Sequence, residues 1–217
     1  FPHNPTTLEA NLNFYQSIVE MSQERGFWII NDFAYSDVFF NNNKPPSLLQ
    51  VTNSLDSCIE LYSMTKGYSM AGWRVGFAVG NESAIGALTK IKSYIDYGTF
   101  QPIQIASAVA LNKLDEYPLE ISSIYKERRE IVVETLASLD FKVTDSNATM
   151  FVWAKIPESI KINSIDFSIN LLEECDLAVA PGIGFGDCGE RYIRIALVEN
   201  KDRIRQAMRN LKKKKWK

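Results

Sequence analysis

Apolar residues recur at helical spacing through Leu8, Leu12, Tyr15, Ile18 and Val19. This predicts an amphipathic helix over residues 8–25, with Thr7 as its cap and Gly26 as its stop. The continuous apolar run Phe27–Ile30 predicts a strand buried on both faces of a parallel sheet, with Asn31 and Asp32 following at its carboxyl end. Open α/β sheets bind their ligands at that end. Cys58–Tyr62 predicts a second strand, Ser63–Arg74 a polar loop, Val75–Val79 a third strand, and residues 81–95 and 102–114 two helices. Alternation of this kind implies an α/β fold, a mostly parallel sheet covered by helices.

A long helical pattern opens at Pro118 and runs through Leu139. Beyond it the order changes, to strands at 141–143, 150–155, 177–180 and 192–197 and helices at 165–174 and 201–211, which describes a smaller α+β domain. The boundary is expected near residues 114–118, giving a first domain of residues 1–116 and a second of 117–217 led by the long helix. The opening FPHNPTT reads as the exit from a strand that the sequence does not contain, so the first domain is expected to be part of a larger one.

The 217 residues are 46% apolar and 23% charged, as in an ordinary globular chain. No apolar run reaches the roughly 18 residues of a membrane-spanning helix, and no signal-peptide pattern opens the chain, which predicts a cytoplasmic protein with no membrane partner. The net charge is −2, and −7 without the lysine-rich tail Lys212–Lys217; a mildly acidic body argues against a nucleic-acid partner. The tail itself reads as a solvated end. Cys58, Cys175 and Cys188 have no metal-binding spacing and His3 is the sole histidine, so no metal site is expected. Chemistry must then rest on Lys, Asp, Tyr, Arg and a cofactor.

The segment Ser63–Gly76, SMTKGYSMAGWRVG, is the richest in candidates. Hydroxyls at Ser63, Thr65 and Ser69 together with Arg74 suit a phosphate, and Lys66 in a sheltered loop can act as an amine nucleophile. Taken alone, Lys66 equally describes a solvated loop lysine. Asp32 and Tyr35 equally describe a turn-capping carboxylate and a core phenol. The glycine cluster Pro181–Gly189 follows a strand but leads into another strand, where a dinucleotide fingerprint would open a helix.

Five elements in order, Asn4-Pro5-Thr6, Asn31 to Tyr35, Ser63 to Lys66, Gly72 to Gly76 and Arg194 within RYIRIALVEN, resemble the signature of fold-type I pyridoxal-phosphate aminotransferases. The resemblance spans essentially the whole chain and corresponds to the carboxyl-terminal half of a family member. It implies that Lys66 binds pyridoxal 5'-phosphate covalently and shuttles the substrate's α-proton. Asp32 would pair with the ring nitrogen, and Tyr35 and Asn4 would donate to the phenolic oxygen. Ser63 and Arg74 would hold the phosphate, and Arg194 the substrate's α-carboxylate.

FPHNPTT, Lys92–Gln104, Phe151–Glu158 and PGIGFG are further similar to the bacterial alanine-forming glutamate–pyruvate aminotransferases, whose relatives act on aspartate or LL-diaminopimelate. This implies an L-amino acid and a 2-oxo acid as substrates. It also implies a homodimer, because the Tyr97–Phe100 loop of that family approaches the neighbouring subunit. A lyase of the same fold type and a non-catalytic, aminotransferase-like sensing domain stand as alternatives.

Overall fold

The computed structural model describes residues 1–214; Lys215, Trp216 and Lys217, on which part of the tail expectation falls, lie outside the described residues. Two compact units are formed. The first comprises Phe1–Pro2 and Glu9–Ser122, the second His3–Leu8 and the chain from Ser123 onward. No helix among the described residues is long and apolar enough to cross a membrane.

The first unit opens with helix α1, Leu12–Arg25. Its cap is Asn11, not the expected Thr7: the Asn11 side chain accepts from the Phe14 N–H, while Thr7 has φ 62° and lies outside the helix. Gly26 ends it in the left-handed conformation, with its N–H on the Ser22 carbonyl. Strands β1 (Ile29–Asp32), β2 (Cys58–Ser63) and β3 (Gly76–Gly80) form a sheet in that order; β1 and β2 are parallel, and β3 joins β2 antiparallel. The segment between β2 and β3 contains no crossover helix long enough to return the chain for a parallel pairing. It is also not the plain loop expected, since it holds the one-turn helix α2 (Met64–Gly67) and a 3₁₀ turn at Ala71–Trp73.

Tyr15 and Val19 of α1 pack on Leu48, Val51 and Cys58 against one face of this sheet. Buried Glu60 organises the same face, accepting from Asn31 Nδ2 (2.9 Å), Ser47 Oγ (2.7 Å) and the Leu48 N–H (2.9 Å). A buried carboxylate is tolerated because its oxygens are satisfied in this way. The expected burial of the first strand on both faces is not met, as Trp28 and Ile30 are exposed. Helices α3 (Glu82–Ile95) and α4 (Gln101–Lys113) follow, and α5 (Tyr117–Ala137) begins in this unit and ends in the second.

The second unit is a four-stranded antiparallel sheet ordered β4 (Lys142–Val143), β5 (Phe151–Lys155), β7 (Tyr192–Ala196) and β6 (Ala180–Pro181), with helices α6 (Ser164–Cys175) and α7 (Lys201–Lys213). Val152, Ala154, Ile193 and Ile195 alternate onto one sheet face. There they pack with Leu136 of α5, Phe167 and Leu171 of α6, and Ile204 and Met208 of α7 in a continuous core. The opposite face carries Phe151, Trp153, Tyr192 and Arg194, as the period-2 geometry of paired strands requires. The His3–Leu8 segment belongs to this unit and is tied to it by Ser146 Oγ, which donates to the Thr7 carbonyl at 2.7 Å.

Candidate functional site

In the first unit the candidate residues gather at one end of the parallel pair. Asp32 is the last residue of β1 and lies in register with Leu61, so Ser63, the last residue of β2, and Lys66 on α2 follow at the same sheet end. The Asp32 carboxylate is exposed rather than buried and accepts from the Ala34 N–H at 3.2 Å. Ser63 Oγ accepts from the Thr65 N–H at 3.2 Å and caps the turn that carries Lys66. Lys66 Nζ lies 5.5 Å from the centre of the Tyr35 ring, within cation–π range. The structure thus brings amine and phenol together at the end of a strand pair that also presents a carboxylate and a hydroxyl.

The turn is held from behind by residues that the sequence reading passed over. A Cβ on Gly67 would stand 2.6 Å from the Cβ of Asp37, so only glycine permits α2 to approach so closely. Asp37 is buried, takes a hydrogen bond from the Tyr62 hydroxyl and is paired with Lys44 at 2.9 Å. Burial, and then the bond to Asp37, push the Tyr62 phenol far above its ordinary range, so it stays a donor. Alternation along β2, which directs Glu60 and Tyr62 to the same face, was the only sequence signal for this support.

Arg74 lies in the loop before β3, with φ 53°; its side chain is exposed and Nη1 reaches the Ala71 carbonyl at 3.4 Å.

In the second unit Asn4 and Arg194, 190 positions apart, meet: Arg194 Nη1 donates to Asn4 Oδ1 at 2.7 Å. The guanidinium also lies over two rings, with its carbon 4.3 Å from the centre of Phe151 and 4.7 Å from that of Phe185. Neither aromatic was singled out from sequence. Phe185 belongs to the glycine cluster, which forms 3₁₀ turns at Gly182–Phe185 and Asp187–Gly189 and then runs into β7. Cys58 and Cys175 are buried thiols, raised in pKa by that burial, and Cys188 is exposed.

An amine, a carboxylate, a phenol and a hydroxyl stand at one end of an α/β sheet, with the Arg74 guanidinium exposed in the loop that follows, and residues of these types would suit a cofactor that carries an aldehyde, a ring nitrogen, a phenolic oxygen and a phosphate. Pyridoxal phosphate has those four groups. The sequence matches the family Aminotransferase class I and II over residues 1–211, and the chain belongs to that family, whose enzymes depend on pyridoxal phosphate.

It is 49% identical to the putative aminotransferase AatC of Rhizobium meliloti over 98% of this chain and 53% of that protein. It is 43% identical to the glutamate-pyruvate aminotransferase AlaC of Escherichia coli, over 98% and 52% of the two chains. The LL-diaminopimelate aminotransferase of Natranaerobius thermophilus is also 43% identical, over 97% and 54%. A substrate-bound structure of BacF from Bacillus subtilis superposes with a TM-score of 0.92 at 34% identity, covering 98% of this chain and 54% of the other. The chain therefore spans about half the length of the curated relatives it matches.

Proposed function

We propose that this protein acts as a pyridoxal-phosphate-dependent aminotransferase, moving an amino group between an L-amino acid and a 2-oxo acid, with alanine or glutamate paired to 2-oxoglutarate or pyruvate. The observation that carries the reading is the gathering of Asp32, Ser63, Lys66 and Tyr35 at one end of the β1–β2 pair. When bound, pyridoxal phosphate supplies an electron sink for the substrate's α-carbon. Lys66 holds the cofactor and moves the proton at that carbon. Asp32 keeps the ring nitrogen protonated, and Tyr35 donates to the phenolic oxygen. Asn4, whose Oδ1 accepts from Arg194 Nη1, has its amide N–H left to donate to the same oxygen. Ser63 and Arg74 hold the phosphate, and the planar fork of Arg194 accepts an α-carboxylate in two parallel hydrogen bonds.

A second reading, transamination of LL-diaminopimelate, is favoured by the 43% identity to an enzyme of that name, equal to the identity with AlaC. A cytoplasmic homodimer is part of the proposal. Support for the dimer comes from α3, α4 and their connection, where Ile91, Tyr94, Ile95, Phe100 and Ile105 are exposed and Tyr97 is 94% exposed, an apolar run that a second copy would cover.

The test is to load the intact protein with pyridoxal phosphate, reduce with borohydride and map the pyridoxyl-bearing peptide. Label on Lys66, lost in Lys66→Ala together with transamination of L-alanine or L-glutamate, is the expected outcome. Label elsewhere, or none, refutes the assignment.

A further inference from the structure

The proposed carboxylate-binding Arg194 has an unassigned partner. We propose that Phe185 is a positioning residue for Arg194, its ring setting the orientation in which the guanidinium receives the substrate's carboxylate. This rests on the reading of Arg194 given above.

The two rings over the guanidinium differ in origin. Phe151 is a buried residue of β5 and cannot move without the sheet. Phe185 comes from the turn between β6 and β7 and is 41% exposed. Three features nevertheless define its place. The turn is pinned at its base, where a Cβ on Gly182 would stand 2.0 Å from the Gly189 carbonyl oxygen and one on Gly189 2.1 Å from that of Gly182. The Phe185 ring stands edge-on to Trp153, with centroids 5.9 Å apart and planes at 83°. Trp153 is itself stacked on Tyr192 at 5.1 Å and 4°. A chain of three aromatics on one sheet face thus fixes a ring that otherwise belongs to a partly exposed turn.

The chemistry favours this arrangement. A guanidinium is weakly hydrated on its flat faces and strongly polar at its N–H edge, so a ring against a face holds the plane without competing for the edge that a carboxylate needs. Asn4 takes one N–H of Nη1 and sets the rotation about the plane's normal, while the rings set the tilt. Phe185 is also a wall of a cavity of about 450 Å³ in this unit, shared with His3, Thr6, Trp153, Cys188 and Tyr192.

The experiment uses the intact holoenzyme with Phe185→Leu, Phe185→Tyr and Arg194→Leu. It reads the dissociation constant of propionate by calorimetry, together with KM and kcat for L-alanine with 2-oxoglutarate as acceptor and for pyruvate with L-glutamate as donor. Cation–π contacts of this kind correspond to about fivefold to thirtyfold in affinity. Phe185→Leu, which keeps apolar bulk without a ring face, is expected to weaken propionate and raise both KM values by that factor. It should leave kcat within about threefold and the melting temperature unchanged. Phe185→Tyr restores the face and returns propionate affinity to within about twofold.

Loss of propionate binding in Arg194→Leu with none in Phe185→Leu overturns the Phe185 role alone. Unchanged binding in both overturns it together with the carboxylate reading of Arg194. A fall in kcat at constant KM in Phe185→Leu also overturns it, since the ring would then act on chemistry rather than on carboxylate capture.

Discussion

Ile30, Leu61, Phe77 and Val79 lie on strands of the first unit and are exposed, Ile30 to 63%, whereas Val152, Ala154, Ile193 and Ile195 of the second unit are almost wholly buried beneath three helices. Both sets are apolar residues in strands, and nothing in their local pattern separates them. The difference is cover. An antiparallel sheet needs helices on one face only, and α5, α6 and α7 supply them to the second unit. A parallel pair such as β1–β2 is built for cover on both faces, and α1 with its neighbours packs against one. Apolar strand composition reports the need for a neighbour, not its presence.

The largest test of that contrast is a pair of substitutions. Phe167→Ala, at the centre of the second core, is expected to cost about 3–5 kcal/mol in urea unfolding followed by hydrogen exchange. Ile30→Thr, which keeps a β-branched strand residue, should change stability by less than about 0.5 kcal/mol. Comparable costs at the two sites would mean that both faces of the first sheet are covered in solution.

A smaller effect sharpens the same comparison. Asn11 and Asn200 cap α1 and α7 through the same side-chain contact, to the Phe14 and Arg203 N–H groups. Replacing either with Ala should cost about 1 kcal/mol, equally in the two units, because a cap is a local hydrogen bond. A severalfold disparity in denaturant midpoints would show that packing, not the cap, sets the cost.

The smallest effect is a pH dependence confined to the second unit. Glu190 accepts from the Arg191 and Ser164 N–H groups at 2.9 and 2.7 Å, which hold its carboxyl below the ordinary glutamate range. A depressed folded-state pKa stabilises above the unfolded value and is lost as pH falls through the folded one. Glu190→Gln should therefore lower stability in the neutral range and flatten its decline below about pH 4.5, so that the two proteins converge in acid. An unaltered acid limb would remove Glu190 from that account.

The helices were legible because their signals are local. Gly26 stops α1 by adopting a conformation that glycine reaches freely, and the apolar periodicity of residues 12–25 needs no partner to be seen. Asn11 could have been recognised as the cap by its position before the periodic run; Leu8 drew the boundary too far forward. The motif order from Asn31 to Arg74 was equally readable, since strand ends and the turn that follows them are contiguous in sequence.

Contacts between distant residues were not readable in that way. Asn4 meets Arg194, Gly67 rests on Asp37, and Phe185 reaches Arg194 from a glycine-rich loop in which no local pattern marked that ring as its contact. The sequence by itself determined which segments become helix or strand, and it brought Lys66 and Asp32 to strand ends, because caps, periodicity and turn chemistry act within a few residues. Only the tertiary structure decided which strand faces are covered and which side chains hold Arg194, because those depend on sheet register and on the approach of segments that no local pattern relates.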